Sequence, residues 1–104
     1  MRTIKESDWK IYRQLHPIVL DRYCRQVFHD ISAIISNEEK SPHKRYLDIF
    51  QAVKQHDHQI ELLLDNPRRS TALMQILAIN ARGLFTEEEF SSFSEDIRSL
   101  VRLF

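Results

Sequence analysis

Hydrophobic positions recur at intervals of three and four along most of this chain and nowhere alternate convincingly at two, so the pattern predicts an all-α fold with no sheet. The densest stretch is 70–83, STALMQILAINARG. Ala72, Leu73, Met74, Ile76, Leu77, Ala78, Ile79 and Ala81 put apolar groups around nearly the whole circumference of a helix. Such a helix is covered by other elements or by a partner chain. Gln75 and Asn80 interrupt it, and it falls short of the roughly 20 apolar residues that cross a bilayer. Gly83 supplies a left-handed closing residue and Leu84 can fold back on the last turn. Thr86 to Glu89 then reads as a capping box that starts the next helix. A buried central helix therefore runs into a tight C-terminal helical hairpin.

Upstream, Ser7 is the expected N-cap of a first long helix, with Asp8 at the positive end of its dipole. Trp9, Tyr12, Leu15, Val19, Tyr23, Val27, Ile31 and Ile34 form one row to about Ile35. Leu20, Cys24, Phe28, Ile31 and Ile35 form a second, so this helix should touch more than one neighbour. Pro17 either kinks it or divides it; no loop-forming residues surround the proline, which favours a kink. The polar stretch 36–41 is a connection, and Ser41 with Pro42 caps a second long helix ending near Leu64. Tyr46, Phe50, Val53, Ile60 and Leu64 lie on one seam of it, spaced four, three, seven and four, with Asp57 inside the seven-residue gap. Asn66 and Pro67 end it. Phe90 and Phe93 give a short helix its apolar face, and Ser94 restarts a last one carrying Ile97, Leu100, Val101 and Phe104. The expected architecture is one domain over 1–104: a bundle of four to five helices, with the two long ones as an antiparallel pair.

Composition narrows the functions. Hydrophobic content of 42% argues against disorder, and 104 residues can bury one core. Fifteen basic and fifteen acidic residues balance, unlike the basic excess of a duplex-binding domain, so no nucleic-acid partner is expected. A nucleic-acid site would need Arg13, Arg22, Arg25, Arg68 and Arg69 to converge on one surface. One cysteine excludes an internal disulfide, and MRTIKESDWK lacks a signal peptide's apolar core; a cytoplasmic protein with no membrane partner is expected. A single glycine excludes phosphate loops and dinucleotide fingerprints, and no cofactor is expected.

Candidate chemistry is sparse. His56, Asp57, His58 and Glu61 form one polar cluster on adjacent helix faces, where imidazole and carboxylate could ligate a divalent metal. Bundle metal sites repeat a Glu-x-x-His unit on facing helices; here the order is reversed and unrepeated, so no metal site is assigned. The plainer reading is a solvated turn in which only Asp57 faces inward. Arg68 and Arg69 open the central helix against its dipole. They either hold an anion or acidic segment there, or pair with Asp65 or the run Glu87 to Glu89, and the pairing is favoured. Cys24 reads as a small core residue, and His16, His29 and His43 have no evident partners. Trp9 and Tyr12 either anchor an interface or cap one end of the bundle.

The segments SDWKIYRQL, DRYC, HKRYLDIF and RRSTALMQILAINARGLFTEEEF together resemble a set of small, all-helical bacterial proteins of unknown function. ARGLFTEEEF is similar to the helical hairpin of short C-terminal (SHOCT) domains, a resemblance that implies an oligomerisation role.

Two functions remain. The first is a helical protein–protein interaction or regulatory module without catalysis, acting as a homodimer, because two broad stripes and an all-apolar helix exceed what so small a bundle hides. Trp9, Tyr12, Leu73 and Ile76 are its candidate interface. The alternative is a small ligand- or metal-binding protein with a polar site at Asp57, His58, Glu61, Arg68 and Arg69. No cofactor motif or paired acid–base constellation suggests an enzyme.

Overall fold

A computed structural model describes residues 3–101, which form five helices and, among the described residues, no strand. They are α1 (Glu6–Ser36), α2 (Pro42–Leu64), α3 (Arg69–Ala81), α4 (Glu87–Ser91) and α5 (Glu95–Val101). This is an all-α helical bundle; of the expected apolar positions, Phe104 lies outside the described residues. α1 packs along α2, and α3 touches both.

Helix α1 is continuous through Pro17, which sits on an exposed side. Its N-cap is Lys5, not Ser7. The Trp9 N–H already closes on the Lys5 carbonyl at 2.9 Å, so the helix begins two residues earlier. Asp8, still in the first turn and 1% exposed, accepts hydrogen bonds from the Ser94 N–H (2.8 Å) and hydroxyl (2.6 Å) at the start of α5. Three other junctions follow local chemistry closely. Ser41 Oγ accepts from the Lys44 N–H with Pro42 in the first turn. Thr86 and Glu89 form a reciprocal capping box. Gly83 has φ +71°, the Leu84 N–H reaches the Ile79 carbonyl at 3.2 Å, and the Gly83 N–H reaches that of Asn80 at 2.9 Å. That is the Schellman closure, with Leu84 buried as its hydrophobic contact.

Carbonyls left over at helix ends are met by side chains from other helices. The His16 ring donates to the Leu64 carbonyl, and the Gln75 amide to that of Asp65. At the far end of α1, Arg45 Nη1 donates to the Ile35 carbonyl, placing a cation where the last turn of α1 has none of its own. Arg69 donates to the Ile4 carbonyl through Nε and Nη2 and pairs with Glu6.

The core lies entirely at one end. Tyr12, Val19, Tyr23, Leu63, Leu64, Ala72, Ile76, Ile79, Leu84, Phe85, Phe93 and Ile97 are buried there, with Phe85 edge-on to Phe93 at 5.6 Å between centroids. From residue 24 to residue 62 no side chain is buried. The molecule measures 52 × 25 × 23 Å, with a radius of gyration of 16.7 Å against the ~13 Å of a compact chain this long. A packed head thus carries a two-helix arm.

Candidate interaction surface on the helical arm

Helix α2 bears two lengthwise rows in the arm, one position apart and so about 100° apart around the axis. Arg45, Asp48, Ile49, Ala52 and His56 are half-buried against α1, whereas Tyr46, Phe50, Val53 and Asp57 are exposed. The more apolar row points outward. On α1 two members of the second row, Phe28 and Ile35, are likewise open to solvent, while Leu20, Cys24 and Ile31 are half-buried. The two open rows share a side of the arm, since Cys24, Val27 and Phe28 of α1 line one groove with Val53, His56, Asp57 and Ile60 of α2. Phe28, Ile35, Tyr46, Phe50 and Val53 are 63, 53, 63, 52 and 45% exposed. Lys54 Nζ lies 5.5 Å from the Phe50 ring centroid, a cation over the face of an open aromatic.

Polar contacts explain why the less apolar row turns inward. His56 Nε2 meets Asp30 Oδ2 at 2.8 Å, and Nδ1 meets the Tyr23 hydroxyl at 2.9 Å. A carboxylate only accepts, so Nε2 donates to Asp30, which in the neutral form of the ring leaves Nδ1 to accept the Tyr23 proton. Asp48 takes Lys40 at 2.9 Å and Lys44 at 3.0 Å, whose hydrogen bonds hold its carboxyl below the usual range. With Arg45 on Ile35, two of the three polar members of the inner row, Arg45 and His56, meet partners on α1 that this rotation of α2 supplies, while Asp48 keeps to Lys44 of α2 itself and Lys40 just before it. The Asp30–His56–Tyr23 chain resembles a proton relay in form. It ends, however, on a hydroxyl that burial pushes upward, the wrong direction for a base or nucleophile near neutrality.

The residues singled out from the sequence do not assemble into one polar site. Asp57 is exposed and lines the arm groove; the inward position is that of His56, one residue earlier. His58 and Glu61 are exposed as well. Arg68 lines a different groove with Leu62, Asp65, Asn66, Met74 and Gln75. With the Asn66 amide oxygen turned toward it, that oxygen accepts from Arg68 Nη2 at 2.9 Å and Nε at 3.2 Å. The expected pairing of Arg68 and Arg69 with Asp65 or the run Glu87 to Glu89 is replaced by Asn66 for Arg68 and by Glu6 and Ile4 for Arg69. Glu89 belongs instead to Arg22, whose two terminal nitrogens reach its oxygens at 2.8 and 3.0 Å while Nη1 also donates to the Leu84 carbonyl. Arg13 lies over the Trp9 ring at 5.4 Å. Among the described residues, no three of His, Cys, Asp and Glu converge as a metal cage would require.

The expected interface residues need correction too. Tyr12 and Ile76 are fully buried within this chain, so they cannot meet another. The Tyr12 hydroxyl donates to Gln75, and its burial pushes its ionisation well above the ordinary value. Trp9 and Leu73 are half-buried against the core. Cys24 is half-buried at the arm groove, not in the core. Helix α3 buries one face through Ala72, Ile76 and Ile79 while Met74, 60% exposed, stands open beside Leu62. The uncovered apolar surface is therefore concentrated on the arm, with a smaller share along α3. No helix among the described residues is long and apolar enough to cross a membrane. Comparison with family models, with curated proteins and with solved structures finds no match to this chain.

Proposed function

We propose that this protein is a non-catalytic helical interaction module that self-associates through the open face of the α1–α2 arm. The observation that carries this reading is the rotation of α2. Tyr46, Phe50 and Val53 face solvent while charged residues of the same helix are turned inward. An amphipathic helix hides its apolar stripe unless something outside the chain will cover it. A pair of helices with nothing buried between residues 24 and 62 also has little to hold its own shape, and a second layer supplies what it lacks. Unpaired Cys24 suits a reducing, cytoplasmic setting. No nucleic-acid partner is included, because Arg22 and Arg69 are committed to Glu89 and Glu6.

Light scattering behind gel filtration at micromolar concentration tests the reading. The intact protein is expected at twice the chain mass and Phe50→Glu at the chain mass, with an unchanged helical circular dichroism spectrum because Phe50 is outside the core. A monomeric wild type overturns it.

A further inference from the structure

The arm's open row carries its own instructions for how a second copy sits on it. Tyr46, Phe50, Val53 and Asp57 are spaced four, three and four. Those intervals read identically in both directions, so an identical helix laid antiparallel places all four positions in register. The layers are then Tyr46 on Asp57, Phe50 on Val53, Val53 on Phe50 and Asp57 on Tyr46. The only carboxylate of these four meets the only hydroxyl, at both ends of the contact, and two aromatic–aliphatic layers fill the middle. Resting on the self-association proposed above, we infer that two copies pack α2 against α2 antiparallel about a two-fold axis passing between Phe50 and Val53, with the Tyr46 hydroxyl donating to the Asp57 carboxylate of the second copy.

The rest of the face agrees with this axis. Phe28 lines the same groove as Val53, so it stands near the level of the axis and meets its own mate across it. The competing symmetric arrangement lays each α2 over the second copy's α1, with both arm tips at the same end. Asp57 shares a groove with Cys24 and Val27 and is thus level with them, so that arrangement would bury a carboxylate against apolar side chains. Burying an unpartnered charge is the costliest choice open to the interface. Area is adequate as well. Five side chains about half exposed, three of them aromatic, offer roughly 500 Å² per copy. Two copies that cover all five bury about 1,000 Å² before the stems of Lys54 and Arg25 are added, the threshold that a biological interface has to clear. A single polar position in an apolar seam fixes register at some cost in stability, and Asp57 occupies that place.

Cysteine cross-linking tests the register separately from the association. In a Cys24→Ser background, Tyr46→Cys and Asp57→Cys are made as separate chains, both at exposed positions away from the core. Mixed and mildly oxidised, they are expected to give a band of doubled mass on a non-reducing gel, while neither variant alone does. Like positions lie eleven residues, or about 16 Å, out of register along the antiparallel helices, beyond the reach of a disulfide. Self-linking of either variant, or no mixed product from a wild type that is dimeric by light scattering, overturns the register and leaves self-association standing. A wild type that is monomeric by light scattering removes both.

Discussion

Asp8 and Ser94, eighty-six residues apart, are joined by two hydrogen bonds across the head: one buried carboxylate accepts both the backbone N–H and the hydroxyl at the start of α5. The contact ties the first turn of α1 to the last helix. Truncation in Asp8→Ala leaves the Ser94 N–H without its acceptor, and hydrogen bonds to charged groups are worth more than neutral ones. Asp8→Ala is expected to lower stability by about 3 kcal/mol and Asp8→Asn by about half as much, since an amide still accepts from the N–H. Urea denaturation reads this as a fall in midpoint at constant slope. A loss in Asp8→Ala no larger than an ordinary surface substitution would mean that α5 is held by its apolar face alone.

Acid should loosen the opposite side of the head. The Arg22 guanidinium holds the Glu89 carboxyl below its ordinary value of 4.5, and the Thr86 N–H adds to this. A carboxyl depressed on folding contributes stability that is fully present above pH 4.5 and is lost as the pH falls through the lower, folded value. Glu89→Gln is expected to cost about 1–2 kcal/mol at pH 7 and to flatten the acid limb of the stability curve. Lys40 and Lys44 also depress half-buried Asp48, but both lysines are themselves exposed, so salt screens the interaction. Stability measured against pH in low and high salt separates the two: only the Glu89 contribution should persist.

The helix ends were legible because their chemistry is local. Ser41 with Pro42, Gly83 with Leu84, and Thr86 with Glu89 each act within a few residues, and each junction forms as the sequence implies. What could not be read was rotation. Two adjacent apolar rows on α2 differ by one residue, and hydrophobicity alone assigns the inner place to the Tyr46 row with Asp57 in it. The polar partners that reverse this are Asp30, Tyr23 and Ile35 on α1, 26, 33 and 10 residues away from the side chains they bind. The same limit hid Asp8, whose first-turn position looks like a dipole partner until Ser94 arrives from the other end of the chain. The surplus of apolar surface was visible in the two rows of α1. Its location was not, because Tyr12 and Ile76 are swallowed by the head.

Gly83 isolates one backbone preference. Its φ of +71° lies in the left-handed region, yet a Cβ there would meet nothing within 4 Å. Gly83→Ala therefore costs only the conformational penalty of an L-residue in that region, about 1 kcal/mol or slightly more. Gly83→Asn should cost less, because asparagine visits the region more readily. Thermal melts should show Gly83→Ala down by roughly 5 °C for a domain of this size. A drop several times larger would mean that the turn is crowded in a way the open Cβ position denies.

Pro17 offers the opposite experiment, a substitution that should help. Inside a helix a proline forfeits one backbone hydrogen bond and crowds the carbonyl four residues earlier, here that of Arg13, at a cost of about 3 kcal/mol in a regular helix. Its restriction of the unfolded chain returns only about 0.4–1 kcal/mol. Helix α1 runs unbroken through it, and Pro17→Ala is expected to raise stability by about 1–2 kcal/mol. The competing outcome is informative in its own right. Tyr12 and Val19 are both fully buried, one on each side of the proline. If Pro17→Ala destabilises the protein, a straight α1 cannot seat both side chains at once, and the proline is retained for the path it imposes between head and arm.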